Sequence, residues 1–226
     1  MTETPAMKKA VILICAILPA GCSNDPAYAG KRTSQWRQEL HDAKPEVRRA
    51  AVAGLGDAGS RAKVFVPELA TALKDPDEGV RLRAAVALWG MGPAAAPAVA
   101  ELAAALNDRS VEVRQNAAGA LGECDAEAAQ AVPALAAALK DRVPGVRDAA
   151  VKSLAKLGPA AKDAAPALAA ALKDRDVGVR VRVAYALAEI GPGAQAASAA
   201  LREAAKDRDG GVRSAAAFAL KKIDGH

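Results

Sequence analysis

Aromatic side chains are scarce: two Trp, two Tyr and two Phe stand among 226 residues. A core filled by large rings is thereby excluded. Histidine occurs twice and cysteine three times, with Cys15 inside an apolar N-terminal run. That is too little material for a multi-ligand metal site, a disulfide framework or His-centred catalysis, so no metal and no cofactor is expected and most enzyme classes drop out. The apolar run itself, Ala10 to Leu18, is too short to cross a ~30 Å hydrocarbon core as a helix. What the chain has in excess is alanine, 61 residues. Alanine loses no side-chain entropy in a helix, so a composition that is 52% hydrophobic but only 3% aromatic points to helices packed through small side chains.

The N-terminal segment has its own organisation. From Met7, a second candidate start, the chain reads MKKAVILICAILPAGCSN: two lysines, a short apolar stretch and small residues ahead of a cysteine, the layout of an export signal. Ala20, Gly21 and Cys22 resemble the lipobox of bacterial lipoproteins. The resemblance implies that Cys22 is diacylated and becomes the new N-terminus. Pro19 departs from that pattern, which prefers Leu three residues before the cysteine; here Leu18 lies one place early. Ser23 after the cysteine resembles the outer-membrane sorting pattern of didermal bacteria. The expectation is a signal peptide at residues 1–21, a flexible tether at 22–30 and a folded domain at 31–226, exported and held in the cell envelope by lipid. An ordinary signal peptide, or an uncleaved anchor with Cys22 unmodified, is the alternative.

A strict 33-residue period governs the rest. Val-Arg recurs at Val47, Val80, Val113, Val146, Val179 and Val212, each followed by arginine, and the same register carries Asp42, Asp75, Asp108, Asp141, Asp174 and Asp207 and the leucines 55, 88, 121, 154, 187 and 220. After each Asp, apolar residues such as Val179, Val183, Ala186, Leu187 and Ile190 fall within a ~100° arc of a helical wheel. This predicts an amphipathic helix B. Asp77, Ser110, Asp176 and Asp209 stand at its N-cap and Pro45 and Pro144 at its first position, while Gly59, Gly92, Gly158 and Gly191 end it. Before each Asp a shorter run, with leucines such as Leu102 and Leu106 four apart, predicts a helix A. Pro67, Pro133 and Pro166 near its start or middle predict that helix A is kinked or in two pieces.

Six such units make an all-α solenoid of about twelve helices, since neither helix can bury its face alone. The Thr-Pro-Leu-His turn of ankyrin repeats is absent, and tetratricopeptide repeats use 34 residues. Segments such as DRDVGVRVRVAYALAEIG and DPDEGVRLRAAVALWGMG resemble the HEAT-like repeat of the phycobilisome-lyase type. The resemblance implies a right-handed solenoid in which the turn Asp and the helix B Arg form a ladder linking repeats: Asp75, Arg81, Asp108, Arg114, Asp141, Arg147, Asp174 and Arg180. It is nearly silent on function, because such repeats serve as scaffolds, adaptors and lyase subunits alike.

The candidate functional residues are those that break the pattern. A further column, Arg109, Arg142, Arg175 and Arg208, could track phosphates, but each Arg abuts an Asp, so the expectation is a solvated turn and no nucleic-acid partner. HEAT-like iron hydroxylases need His-Glu pairs, and none exists. Cys124 shares a column with Met91, Leu157 and Ile190 and reads as a core thiol. Large apolar residues stand where helix B should face outward: Leu82, Val86 and Trp89, then Val181 and Tyr185, then Phe218, with Arg83 and Arg182 beside them. Second helices line the concave side of such solenoids, and outward aromatics mark binding hot spots. The function expected is a non-enzymatic scaffold binding another protein on this face. The alternative is an accessory or lyase-like subunit acting on a cofactor-bearing protein.

Overall fold

The computed structural model describes residues 27–28 and 30–225; the signal-like segment 1–21 and Cys22 lie outside them. Among the described residues there are twelve α-helices in alternating short and long pairs. The short ones are α1 (Thr33–Leu40), α3 (Val66–Ala72), α5 (Val99–Ala105), α7 (Val132–Ala138), α9 (Ala165–Ala171) and α11 (Ser198–Ala204). The long ones are α2 (Pro45–Ala58), α4 (Glu78–Met91), α6 (Val111–Leu121), α8 (Pro144–Leu157), α10 (Val177–Ile190) and α12 (Gly210–Asp224). These are the helices A and B of six stacked repeats.

Each later helix A is in two pieces. A seven-residue 3₁₀ segment, such as Gly158–Ala164, leads into a seven-residue α-helix, and in α3, α7 and α9 a proline sits in the opening turn of the second piece. A proline there gives up an N–H that has no intrahelical partner anyway. Helix B starts as the cap residues dictate, with one exception. Asp77, Asp176 and Asp209 accept from backbone N–H groups of their own first turns, and Pro45 and Pro144 open α2 and α8. Ser110 occupies the N-cap position of α6, but its hydroxyl donates to the Glu112 carboxylate at 2.9 Å instead. Glu112 faces it across the first turn and is the stronger acceptor.

Of the tether expected at 22–30, residues 22–26 and 29 lie outside the described residues. Ala27–Tyr28 pair antiparallel with Lys31–Arg32, the Tyr28 carbonyl accepts the indole N–H of buried Trp36 at 2.9 Å, and the Tyr28 ring meets Phe65 edge-on at 5.6 Å. This hairpin covers the end of the first repeat, where no preceding repeat stands among the described residues.

One continuous core runs through the stack, built from the leucine columns, the valines at the start of helix B and many fully buried alanines. Consecutive B helices pack closely on one another and form one continuous layer, the layer expected to line the concave side of such a solenoid. The repeats are also tied by arginine forks. Arg48, Arg81, Arg114, Arg147 and Arg180 each bond the Asp 27 residues ahead, at Asp75, Asp108, Asp141, Asp174 and Asp207, with Nε–Oδ2 distances between 2.6 and 3.0 Å. Each fork also donates to the carbonyl of its own turn Asp, at 2.8 to 3.0 Å. Burial raises the proton affinity of Asp75, Asp108, Asp141 and Asp174, but the arginine bonds, a backbone N–H and the nearby positive charge outweigh it and hold each carboxyl below its ordinary range.

Candidate functional site on the concave face

The concave face displays the residues of α2, α4, α6, α8, α10 and α12 that point away from the A layer. Four large apolar side chains stand out in solvent there: Val86 is 49% exposed, Trp89 45%, Tyr185 46% and Phe218 41%. Leu82 and Val181 are half-buried and packed against the core, so they are footings for the exposed groups rather than contacts in their own right. Arg83 is exposed and has no ion-pair partner among the described residues. Arg182 is exposed too, but its guanidinium is already bonded to the carboxylate of Asp148 one repeat earlier.

The structure divides these residues into two ends with a polar middle. At the N-terminal end, Leu82, Arg83 and Val86 line a groove of about 540 Å³ between α2 and α4, floored by small residues including Gly56, Gly79 and Gly90. Trp89 leans from α4 onto α6, where a side chain on Gly119 would come within 3.1 Å of its ring. Its indole N–H donates to Glu123 at 3.4 Å, and Glu123 also accepts from Lys156. Trp89 thereby walls a second pocket of about 350 Å³ whose other sides are polar: Gln115, Asn116, Lys152 and Lys156. At the C-terminal end Tyr185 and Phe218 lie with ring centroids 5.9 Å apart at 54°, and the ammonium of Lys222 sits 5.8 Å from the Phe218 ring. An exposed aromatic pair with a cation at its rim suits a chain that offers both an apolar side chain and a negative or aromatic group.

Sequence reasoning missed the polar pocket. Glu123, Lys152 and Lys156 stand in columns whose residue type varies, so nothing in the sequence singles them out; what brings them together is the stacking offset of 33 to 34 residues, which also pairs Asp148 with Arg182 and Glu123 with Trp89. Cys124 is fully buried, its thiol bonded to the Ala120 carbonyl at 3.2 Å. Burial, with nearby Asp125, Glu123 and Glu127, pushes that thiol up to about 11, so it is not a nucleophile in the folded protein.

A family model described as HEAT repeats matches residues 33–104, 99–176 and 158–221. The chain belongs to the HEAT-repeat family. No match was found among curated protein sequences. Among solved structures, this HEAT-repeat chain is similar to an engineered protein (TM-score 0.68, 24% identity, covering 84% of this chain and 96% of that one). It is similar also to a designed armadillo repeat protein in complex with the peptide (KR)4 (TM-score 0.67, 20% identity, 84% and 98%). A third is the complex of CpcE and CpcF of phycocyanin lyase from Nostoc sp. PCC7120 (TM-score 0.58, 24% identity, 88% and 80%). At these identities the likeness establishes the fold, an all-α solenoid.

Proposed function

We propose that this protein is a non-enzymatic scaffold, exported and anchored through lipid on Cys22, that holds another protein against its concave face. The observation that carries the reading is the exposure of Val86, Trp89, Tyr185 and Phe218 on the same face; of the other large apolar side chains among the described residues, Val64 and Val177 alone are comparably exposed. Apolar groups held in water on rigid, mutually stacked helices lose little conformational freedom on binding, which is the usual make-up of an interface anchor. Lys8, Lys9, the apolar run and Ala20-Gly21-Cys22 support the anchor. The competing lyase-like reading needs a reactive group, and the burial of Cys124 counts against it.

The test is site-specific photocrosslinking in the native envelope, with the crosslinker at positions 86, 185 and 218 and, as a control, at exposed Ala104 on α5. The expected outcome is one common adduct from the three concave positions and none from position 104, with the adducts at 86 and 218 lost when Trp89→Ala and Tyr185→Ala are combined. Equal yields from both faces, or an adduct that survives the double substitution, would remove the concave face from consideration.

A further inference from the structure

The turns between helix A and helix B all lie along one edge of the solenoid, and that edge is cationic over repeats four to six. Two rows run along it. Arg109, Arg142, Arg175 and Arg208 form one, and Lys74, Lys140, Lys173 and Lys206 form the other; all eight are exposed. On sequence grounds the Asp beside each of these arginines neutralises it. The structure removes that objection. Asp108, Asp141, Asp174 and Asp207 are claimed by the ladder arginines of the preceding repeats, with side chains only 9 to 16% exposed. Each of these carboxylates is already matched by its own ladder arginine, so the turn arginine beside it, which also helps to hold the carboxyl charged, is a second positive charge.

What remains outside is unpaired. Arg142, Arg175 and Arg208 make no ion pair among the described residues, and Arg109 donates only to the Pro76 carbonyl, at 3.1 Å. Of the lysines, Lys206 touches Glu203 at 3.1 Å and Lys74 reaches Glu101 at 3.7 Å, both solvent-exposed contacts of little strength. Glu46, Asp77, Glu78 and Glu112 put acid on the same edge in repeats one to three, so the positive excess lies in repeats four to six, where Asp176, Glu203 and Asp209 are outnumbered by Lys140, Arg142, Lys173, Arg175, Lys206 and Arg208. The cations also flank open clefts: Lys173, Arg175 and Arg208 border one of about 540 Å³, and Lys74 and Arg109 border one of about 410 Å³. The opposite edge, where the 3₁₀ segments begin, mixes signs, with Arg61, Lys63 and Lys162 among Asp57, Asp125, Glu127 and Asp163.

We propose that this cationic edge docks on an anionic lipid surface, the bilayer that carries the chain. The choice of occupant rests on the Cys22 anchor proposed above. Because Ala27 and Tyr28 are tied to the first repeat, only five chain steps separate Cys22 from the folded body, a reach of at most about 18 Å. That is about two Debye lengths at physiological salt. A body tethered so closely stays beside the bilayer, and when it lies down its positive edge comes within a Debye length of the anionic surface, each such cation strengthening contact roughly fivefold. The two rows contain no aromatic side chain on which unpaired bases could stack, which disfavours single-stranded nucleic acid. Lying on this edge leaves the concave face open sideways to a protein partner.

The experiment is lysine acetylation footprinting of the full-length chain reconstituted in vesicles of phosphatidylcholine alone or with 30% phosphatidylglycerol, read by mass spectrometry. The expected result is that Lys140, Lys173 and Lys206 react about fivefold or more slowly in the anionic vesicles at low salt, while Lys63 and Lys162 on the opposite edge do not change. The protection should vanish at high salt and in the Arg142→Ser, Arg175→Ser, Arg208→Ser variant. It should persist when the same three arginines are changed to lysine. Equal reactivity of both edges in the two vesicle types overturns the proposal, as does protection that appears only on adding an oligonucleotide. The mass of the Cys22 peptide in the same spectra separates the two readings: protection with an unmodified Cys22 keeps the docking edge and discards the lipid anchor.

Discussion

Arg81 shows how much one side chain does in this protein. Only 5% exposed, it closes a fork on Asp108 at 2.7 and 3.1 Å and donates to the Asp75 carbonyl at 3.0 Å, so it joins two turns and fixes the spacing of two repeats. Arg81→Ala leaves a half-buried carboxylate without its counter-charge and should lower stability by about 3 kcal/mol, seen as an earlier urea midpoint. Arg81→Lys should recover only part, because an ammonium cannot close a planar fork. A midpoint that does not move in Arg81→Ala would show that the ladder carries no stability. Ser198 predicts the reverse sign. It stands in the column of Val66, Val99, Val132 and Ala165, 7% exposed, with a hydroxyl oxygen that has no partner. Ser198→Ala removes a buried unsatisfied group and should raise the same midpoint, by about 1 kcal/mol. Residues that recur every 33 positions were legible in the sequence because recurrence filters out chance. Glu123, Lys156 and Asp148 occur once, and their pairings exist only after the stacking offset is known.

At the scale of the element, helix starts and stops were written in cap residues, and the one irregular repeat shows why. The long helices of repeats one, two, four and five end on Gly59, Gly92, Gly158 and Gly191, each with φ between 53 and 67°. In repeat three the same column holds Asp125, which adopts φ 51° and is the one non-glycine residue with positive φ among those described. Correspondingly α6 is the shortest long helix, 11 residues against 14 or 15. The missing glycine was visible in the sequence, but its consequence was not, since a chain can either skip the turn or strain an Asp into it. Asp125→Gly should relieve that strain and stabilise the protein by about 1 kcal/mol, which for a domain of this size is a rise in Tm of roughly 2–4 °C. If Asp125→Gly lowers Tm, the carboxylate is making a contribution that outweighs the backbone cost. The two-piece helix A was legible at α3, α7 and α9, where a proline marks the start of the second piece; α5 and α11 break at the same place without one. The division of the concave face into two apolar ends and a polar pocket was not legible, because Trp89 lies over Gly119 only once α4 and α6 are stacked.

For the whole molecule, the ladder makes stability depend on pH in a direction that can be fixed in advance. For Asp75, Asp108, Asp141 and Asp174 burial favours the neutral acid, but the arginine bonds, backbone N–H groups and nearby charge prevail, and all four ionise more readily than an ordinary carboxyl. Asp207 shifts the same way, chiefly through the Asp209 N–H and then Arg180. Near pH 4 the unfolded chain therefore binds more protons than the folded one, so stability rises with pH through that region. The ladder contribution is fully present above the ordinary Asp value of about 3.9 and is lost as pH falls through the lower folded values. Thermal melts should thus give a nearly constant Tm from pH 8 to 5.5, a decline beginning near pH 4 and a steep fall below it. Since each fork lies at a different interface and a solenoid is stabilised by its interfaces in series, acid weakens every junction at once, and the transition should broaden as it moves down. Arg81→Ala, with one rung gone, should show a shallower acid limb than the parent. A Tm that rises between pH 5 and pH 3, or a variant whose acid limb matches the parent's, would mean that the aspartates are not held in their charged form by the forks that the structure shows.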